Sequence, residues 1–348
     1  MSHLVRATLS LAGWLGRRFD AAVVAPGRPG PVVLLRVALA LIIALRLLAH
    51  DWSLVAERPA ELTSHVWILG WLPRLPPSVL VAIQVVGLVG VALVVIRRAP
   101  RAGLVLSWLS LLVLAGLWGA SGKFHHNDLL LLTATFPVLF AHAPNRSNRT
   151  AAGDVAGDGD RDGDGTARAI TWGWTPRAAL AVVGCVYFLT GLQKLRHSGL
   201  DWVFSDNMSW VLLQGADSSP VSPELVRALA ETPVLPQLLA GGALALELGA
   251  PLLLCWRPTR LVFAGAVTAM HLSIWVCLGL DYAPWWLTVW AVTLATGVPT
   301  GWAAVRDRIV LRRAARTGPR AGPGAGAGAG AAPGAGTESI LDVPAARG

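Results

Sequence analysis

The chain has 348 residues, of which 54% are hydrophobic and only 14% are charged, and its net charge is +9. Soluble domains carry about 25% charged residues, so an ordinary water-soluble enzyme is excluded, and the apolar runs predict one integral membrane domain. The basic excess then belongs to cytoplasmic loops and lipid phosphates rather than nucleic acid. Cys185, Cys255 and Cys277 all fall in apolar runs, which excludes a disulfide framework and any CxxC metal site.

Residues 1–28 form an N-terminal segment without a cleavable signal pattern. Within it, 3–19 reads as an amphipathic helix, with Leu4, Leu11 and Leu15 on one face and Arg6, Ser10 and Arg17 on the other. Such a helix is expected to lie in the inner membrane interface. Residues 29–303 form the transmembrane domain. A span needs roughly 20 apolar residues, and eight segments approach this: 31–49, 79–96, 102–119, 129–141, 178–195, 234–256, 261–280 and 285–302. The fourth is short and contains Pro137. The fold class is therefore an all-α membrane bundle of about eight helices. An outer excursion over 200–232 is expected to form interfacial helices above a pocket.

Basic residues set the orientation. Arg97, Arg98 and Arg101, then Arg146 to Arg177, then Arg257 and Arg260, and then Arg306 to Arg320 all fall on the side of the N-terminal arginines if there are eight spans. Both termini are then cytoplasmic. Of 29 basic residues only Lys123 and Lys194 are lysines; with the Ala and Gly excess, this bias fits a GC-rich prokaryotic genome and hence a prokaryotic plasma membrane. Residues 144–169 are read as a solvated, disordered loop. Its Asp158, Asp160, Asp162 and Gly163 match the start of an EF-hand loop, but position twelve is Ala169 instead of glutamate. Residues 304–348 are a basic and then Gly/Ala-rich tail, expected to be disordered.

Polar residues collect near the outer ends of the spans. Lys194 closes the fifth span. It is either a snorkelling anchor or a desolvated amine able to act as a base. In a chain that otherwise prefers arginine, an anchor needs no lysine, whereas a proton acceptor does. His125, His126, Asn127 and Asp128 precede the fourth span. They suit either a capped helix start or acid–base work, and adjacent histidines point too far apart to chelate a metal. Glu247 in the sixth span is a functional carboxylate or a structural partner of Arg46 or Arg36. His271 in the seventh is an interhelical hydrogen-bonding group or part of a proton relay with Glu247.

The string 187–195, Tyr-Phe-Leu-Thr-Gly-Leu-Gln-Lys-Leu, followed by Asp201 and Trp202, resembles the tyrosine–glycine–lysine–tryptophan motif of the HTTM (horizontally transferred transmembrane) domain family, the membrane part of vitamin K-dependent gamma-carboxylases. Residues 251–260, His271 and Pro284 are similar to the next family block, and His126 matches the family's histidine. The resemblance spans about 31–302. It implies Lys194 as the base and His126 as its catalytic partner. Around them, His125, Asn127, Tyr187, Trp202, Glu247 and His271 would line a site for vitamin K or another quinone, with no metal. In the carboxylases the lysine deprotonates the reduced vitamin, oxygen adds, and the resulting alkoxide takes a proton from glutamate, which then captures carbon dioxide. Here Gln193 replaces a basic residue, Leu272-Ser273-Ile274 follows His271, and a Gly/Ala tail stands where the carboxylases have a lumenal domain.

Three functions follow as expectations. The first is a carboxylase-like membrane enzyme using an outer Lys/His pocket on a lipid-soluble cofactor. The second is a non-catalytic maturation or scaffold protein for a secreted peptide or membrane partner. The third is a proton-coupled transporter. Membrane lipids are partners in each. The orientation has a direct check: a membrane-impermeant maleimide should fail to label Arg97→Cys in intact cells, and labelling from outside would overturn it.

Overall fold

A computed structural model describes residues 25–59, 72–119, 126–142 and 162–297. The N-terminal amphipathic segment, His125, most of the acidic loop and the tail lie outside the described residues. All regular structure among the described residues is helical.

Helix α1 is Pro29–Ala49. Its first-turn prolines suit a position where the missing N–H has no intrahelical partner. Val32, Leu35, Leu39, Ile43 and Leu47 recur every three to four residues and are buried, which makes one core-facing stripe. The opposite face carries exposed Leu34, Leu41, Leu45 and Leu48. A helix apolar on both faces suits lipid on the side that protein leaves uncovered.

Helices α2, Pro77–Val95, and α3, Pro100–Gly119, form a hairpin. Arg97 turns the chain in the left-handed region, at φ 59°. Gly90 and Gly103 stand face to face. A Cβ on Gly90 would lie 2.6 Å from the Gly103 carbonyl oxygen and 2.8 Å from the Ser107 nitrogen, so only glycine allows this approach.

Helix α4 is Leu129–Thr135, continued by a 3-10 turn over Phe136–Phe140. Pro137 cannot donate to the ladder, and the chain tightens there. The two pieces together measure roughly 20 Å, short of a hydrocarbon core of about 30 Å.

Helix α5 runs over Asp162–Ser198 with Pro176 inside it. Its apolar spanning part is Arg168–Ser198, longer than the expected 178–195 because the helix continues into the residues that join it to the acidic loop. Positions 162–169, read from sequence as part of a disordered loop, are helical.

The excursion consists of α6 (Asp201–Phe204), α7 (Asn207–Gly215), a 3-10 turn (Ala216–Ser218) and α8 (Pro223–Glu231). Ser222 caps α8 by accepting from the Leu225 N–H. Leu212, Ala216, Val226 and Ala230 pack with Cys277 in a small cluster of their own.

Helices α9 (Leu235–Cys255), α10 (Arg257–Leu278) and α11 (Ala283–Gly297) complete the bundle. Gly279 ends α10 in the left-handed region, φ 65°, and a Cβ there would strike the Ser218 carbonyl. Glycine is therefore needed where α10 stops under the cover.

Among the described residues, six helices are long and apolar enough to cross a membrane: α1, α2, α3, the 168–198 part of α5, α9 and α10. The expected fourth and eighth spans are the shorter α4 and the fifteen described residues of α11. Within the six spans only 28–50% of each hydrophobic window is buried, so their remaining apolar surface suits lipid.

The glycine contact gives a test. Gly90→Ala should cost about 1–3 kcal/mol by overpacking and lower the unfolding temperature in detergent. Gly242→Ala has nothing within 4 Å of the new methyl group and should be neutral or stabilising.

Candidate functional site

The functional groups lie at the end of the bundle that carries the cover helices. Tyr187, Gly191 and Lys194 sit on one face of α5, spaced by four and three residues. Glu247 belongs to the buried row Leu244, Glu247, Ala250 and Leu254 of α9. Gly191 brings the helices together, since a Cβ there would lie 3.0 Å from the Glu247 Cβ.

This close approach lets Lys194 Nζ donate to both oxygens of Glu247, at 2.7 and 2.8 Å. The side chains retain 22% and 6% exposure. The Lys194 head group therefore points to a carboxylate across the helix interface, and the snorkelling-anchor reading does not describe it. Nor is it a solitary amine. The Trp202 ring of α6 lies 5.0 Å from Nζ, within cation–π range. The buried indole nitrogen of Trp202 has no hydrogen-bond partner among the described residues.

A second group follows along the same face of α5. The Tyr187 hydroxyl and His271 Nε2 are 2.9 Å apart. His271 stacks on Tyr282, with centroids 5.0 Å apart, and the Tyr282 hydroxyl meets His126 Nε2 at 3.1 Å. Trp285 packs against Tyr187, His271, Tyr282 and His126 and donates its indole N–H to the His126 carbonyl. Burial raises the pKa of the Tyr282 hydroxyl, which keeps it a neutral donor.

A third group surrounds the last turn of α1. Arg46 grips Asp128 through Nε at 2.6 Å and Nη2 at 3.2 Å, and reaches Asp281 through Nη1 at 3.4 Å. Asn127 donates to the Asp281 carbonyl at 2.9 Å. His50 stacks on Trp52 and meets Trp118 edge-on.

The predicted residues thus divide. Lys194, Glu247 and Trp202 form one centre. Tyr187, His271 and His126 belong to the next. Asn127 lies in the third, and His125 is outside the described residues. The expected structural alternatives for Glu247 do not occur: Arg46 serves Asp128, and Arg36 donates to the Ala141 carbonyl. Glu247 and His271 bond to different partners, Lys194 and Tyr187. The sequence reading passed over Tyr282, Trp285 and Asp281. One signal was available. The chain has two tyrosines, and each one meets a histidine nitrogen.

The chain matches no protein-family profile, no curated protein and no solved structure.

The Lys194–Glu247 pair can be weighed by a double-mutant cycle. Removing either partner leaves a largely buried charge uncompensated, at a cost of about 3–5 kcal/mol. Thermal unfolding of Lys194→Met, Glu247→Leu and the double variant should show the double variant to be more stable than either single one. Additive losses would contradict a direct pair.

Proposed function

We propose that this is a multi-pass membrane protein of the HTTM kind, with eight spans and both termini in the cytoplasm of a prokaryote. In this reading the Lys194–Glu247 pair carries out acid–base chemistry at the outer end of the bundle on a lipid-soluble, quinone-like substrate. The observation that supports it most is the contact of Nζ with both Glu247 oxygens inside an apolar bundle. An ammonium–carboxylate pair and an amine–carboxylic acid pair differ only in the position of one proton. Once Glu247 holds that proton, the Lys194 amine takes a second one from a substrate hydroxyl and becomes ammonium. The negative oxygen left behind then lies beside Nζ. The Trp202 indole, whose ring lies 5.0 Å from Nζ, carries an N–H without a partner among the described residues, a donor type that suits a quinone oxygen.

His126 then acts at a distance from Lys194. It stands at the far side of Tyr282, His271 and Tyr187, where it orients the wall of the site. The carboxylation of glutamate that the resemblance implies enters this reading only as one reaction open to the same centre. The scaffold reading has one observation in its favour: Phe204 and Trp210 on the cover are 73% and 66% exposed, a surface able to hold an apolar peptide. In the transporter reading, Glu247 and His271 would act through their partners Lys194 and Tyr187.

Arginine preserves the charge and forms a two-pronged pair with a carboxylate, yet it does not give up its proton. Lys194→Arg should therefore express and fold like the wild type and fail to complement a deletion strain. Mass spectrometry of co-purified lipids should find a quinone or another hydroxylated isoprenoid enriched with the wild type over Lys194→Ala. Full complementation by Lys194→Arg would end the case for Lys194 as a base.

A further inference from the structure

The cover helices are held to the bundle unequally. Leu212 and Ala216, with Val226 and Ala230 of α8, pack on Cys277 of α10, and the Ser219 hydroxyl donates to the Val276 carbonyl at 2.7 Å. Helix α6, Asp201–Phe204, buries no residue of its own. Its hydrogen bonds are local. The Val203 and Phe204 N–H groups reach the Leu200 carbonyl, and the Ser205 N–H and hydroxyl reach that of Asp201. Among the described residues, no hydrogen bond of 201–205 reaches α5, α9 or α10. Two side-chain contacts hold the segment instead. Val203 Cγ1 lies 3.4 Å from where a Cβ on Gly241 of α9 would stand, so it rests on bare backbone. The Trp202 ring lies over Nζ of Lys194 at 5.0 Å.

The connections at both ends suit movement. Helices α5 and α6 meet at Gly199, φ 59°, and nothing lies within 4 Å of a Cβ added there. Glycine is needed at 199 for conformation and not for space, and the backbone is free to turn. At the other end Ser205 is extended, φ −90° and ψ 178°, and the anchored α7 follows. The observed position is also opposed from within. The cation–π contact favours it, but the buried Trp202 N–H has no partner among the described residues, which costs free energy. Lifting the ring returns that N–H to hydrogen-bonding surroundings and uncovers one side of Nζ.

We propose that α6 is a hinged flap that gates the Lys194–Glu247 pair, with Gly199 as the hinge, Trp202 as the closing group and Gly241 as the seat. Lifted, it admits a molecule from the cover side to Nζ. Lowered, it places the indole over Nζ. A ligand with an acceptor oxygen beside Trp202 satisfies the indole N–H and so favours closure. The gate concerns access alone and stands whether or not Lys194 acts as a base.

Lys194 and Lys123 are the only lysines in the chain, so amine modification reads access to Lys194 directly. The test uses the full chain in nanodiscs, with the exposed Cys185 and Cys255 changed to alanine and with Val203→Cys and Gly241→Cys added. The contact at 3.4 Å puts a sulfur at 203 within disulfide reach of a Cβ at 241. A bulky sulfonated succinimidyl ester is the reagent, and mass spectrometry follows Lys194, with Lys123 as the reagent control. Oxidation should slow modification of Lys194 about tenfold or more relative to the same protein after reduction. Gly199→Ala, in the otherwise native chain, strains only the left-handed closed geometry and should speed it about tenfold. The gate is overturned by failure of the 203–241 disulfide to form under oxidation, or by equal rates in the oxidised and reduced protein. A Gly199→Ala rate equal to the wild type overturns it as well. Complementation by Lys194→Arg has no bearing on these rates, so the gate and the base fail separately.

Discussion

A charge inside an apolar bundle needs a polar partner. At this end of the protein that partner is an opposite charge, and the arrangement here follows from that requirement. Taking an ion out of water costs several kcal/mol even after relaxation. Arg46 and Lys194 meet the cost with Asp128 and Glu247 at hydrogen-bonding distance. Each pair also joins helices distant in sequence. The first ties α1 to the start of α4 and, through Asp281, to the start of α11. The second ties α5 to α9. Hydrophobic association cannot choose among helix partners when lipid is as apolar as leucine. The two ion pairs and the close glycine contacts supply the choice.

The glycines act by subtraction. Gly90 and Gly103 let two backbones touch, which increases dispersion contact where no hydrophobic force drives it. Gly191 does the same between α5 and α9, with a chemical consequence, because the approach brings Nζ of Lys194 onto Glu247. A bulkier residue at 191 would widen the interface where the ion pair is shortest. In this bundle, packing and candidate chemistry are set by the same side-chain absence.

The spans were legible in the sequence because their signal is local: a run of apolar residues of membrane length ended by Pro, Gly or Arg. Among the described residues, six of the eight expected segments are helices of spanning length. The polar residues worth naming were also legible, since an ionisable group in such a run is costly wherever it points. Their pairing was not. Whether Glu247 meets Arg46, Arg36, His271 or Lys194 depends on the rotation and offset of helices far apart in the chain, and no local pattern encodes it. Asp281 and Tyr282 were missed because a short loop between two spans reads as a connector. The length of α5 was missed because its first turns are polar and glycine-rich, and local composition there favours a loop.

Two consecutive residues join the separate polar groups. Asp281 turns toward Arg46 and Asn127, while Tyr282 turns toward His271 and His126. The same alternation occurs opposite them, where His126 faces Tyr282 and Asn127 faces the Asp281 backbone. The chain between Gly279 and Ala283 is thus a wall with a charged cleft on one side and the aromatic cluster on the other. The peptide unit between Asp281 and Tyr282 is planar and stiff, and Trp285 holds the next turn of α11 against the same aromatic rings. A displacement of the Asp281 backbone therefore carries the Tyr282 backbone with it. The cleft and the aromatic cluster meet at one stretch of backbone, the start of α11.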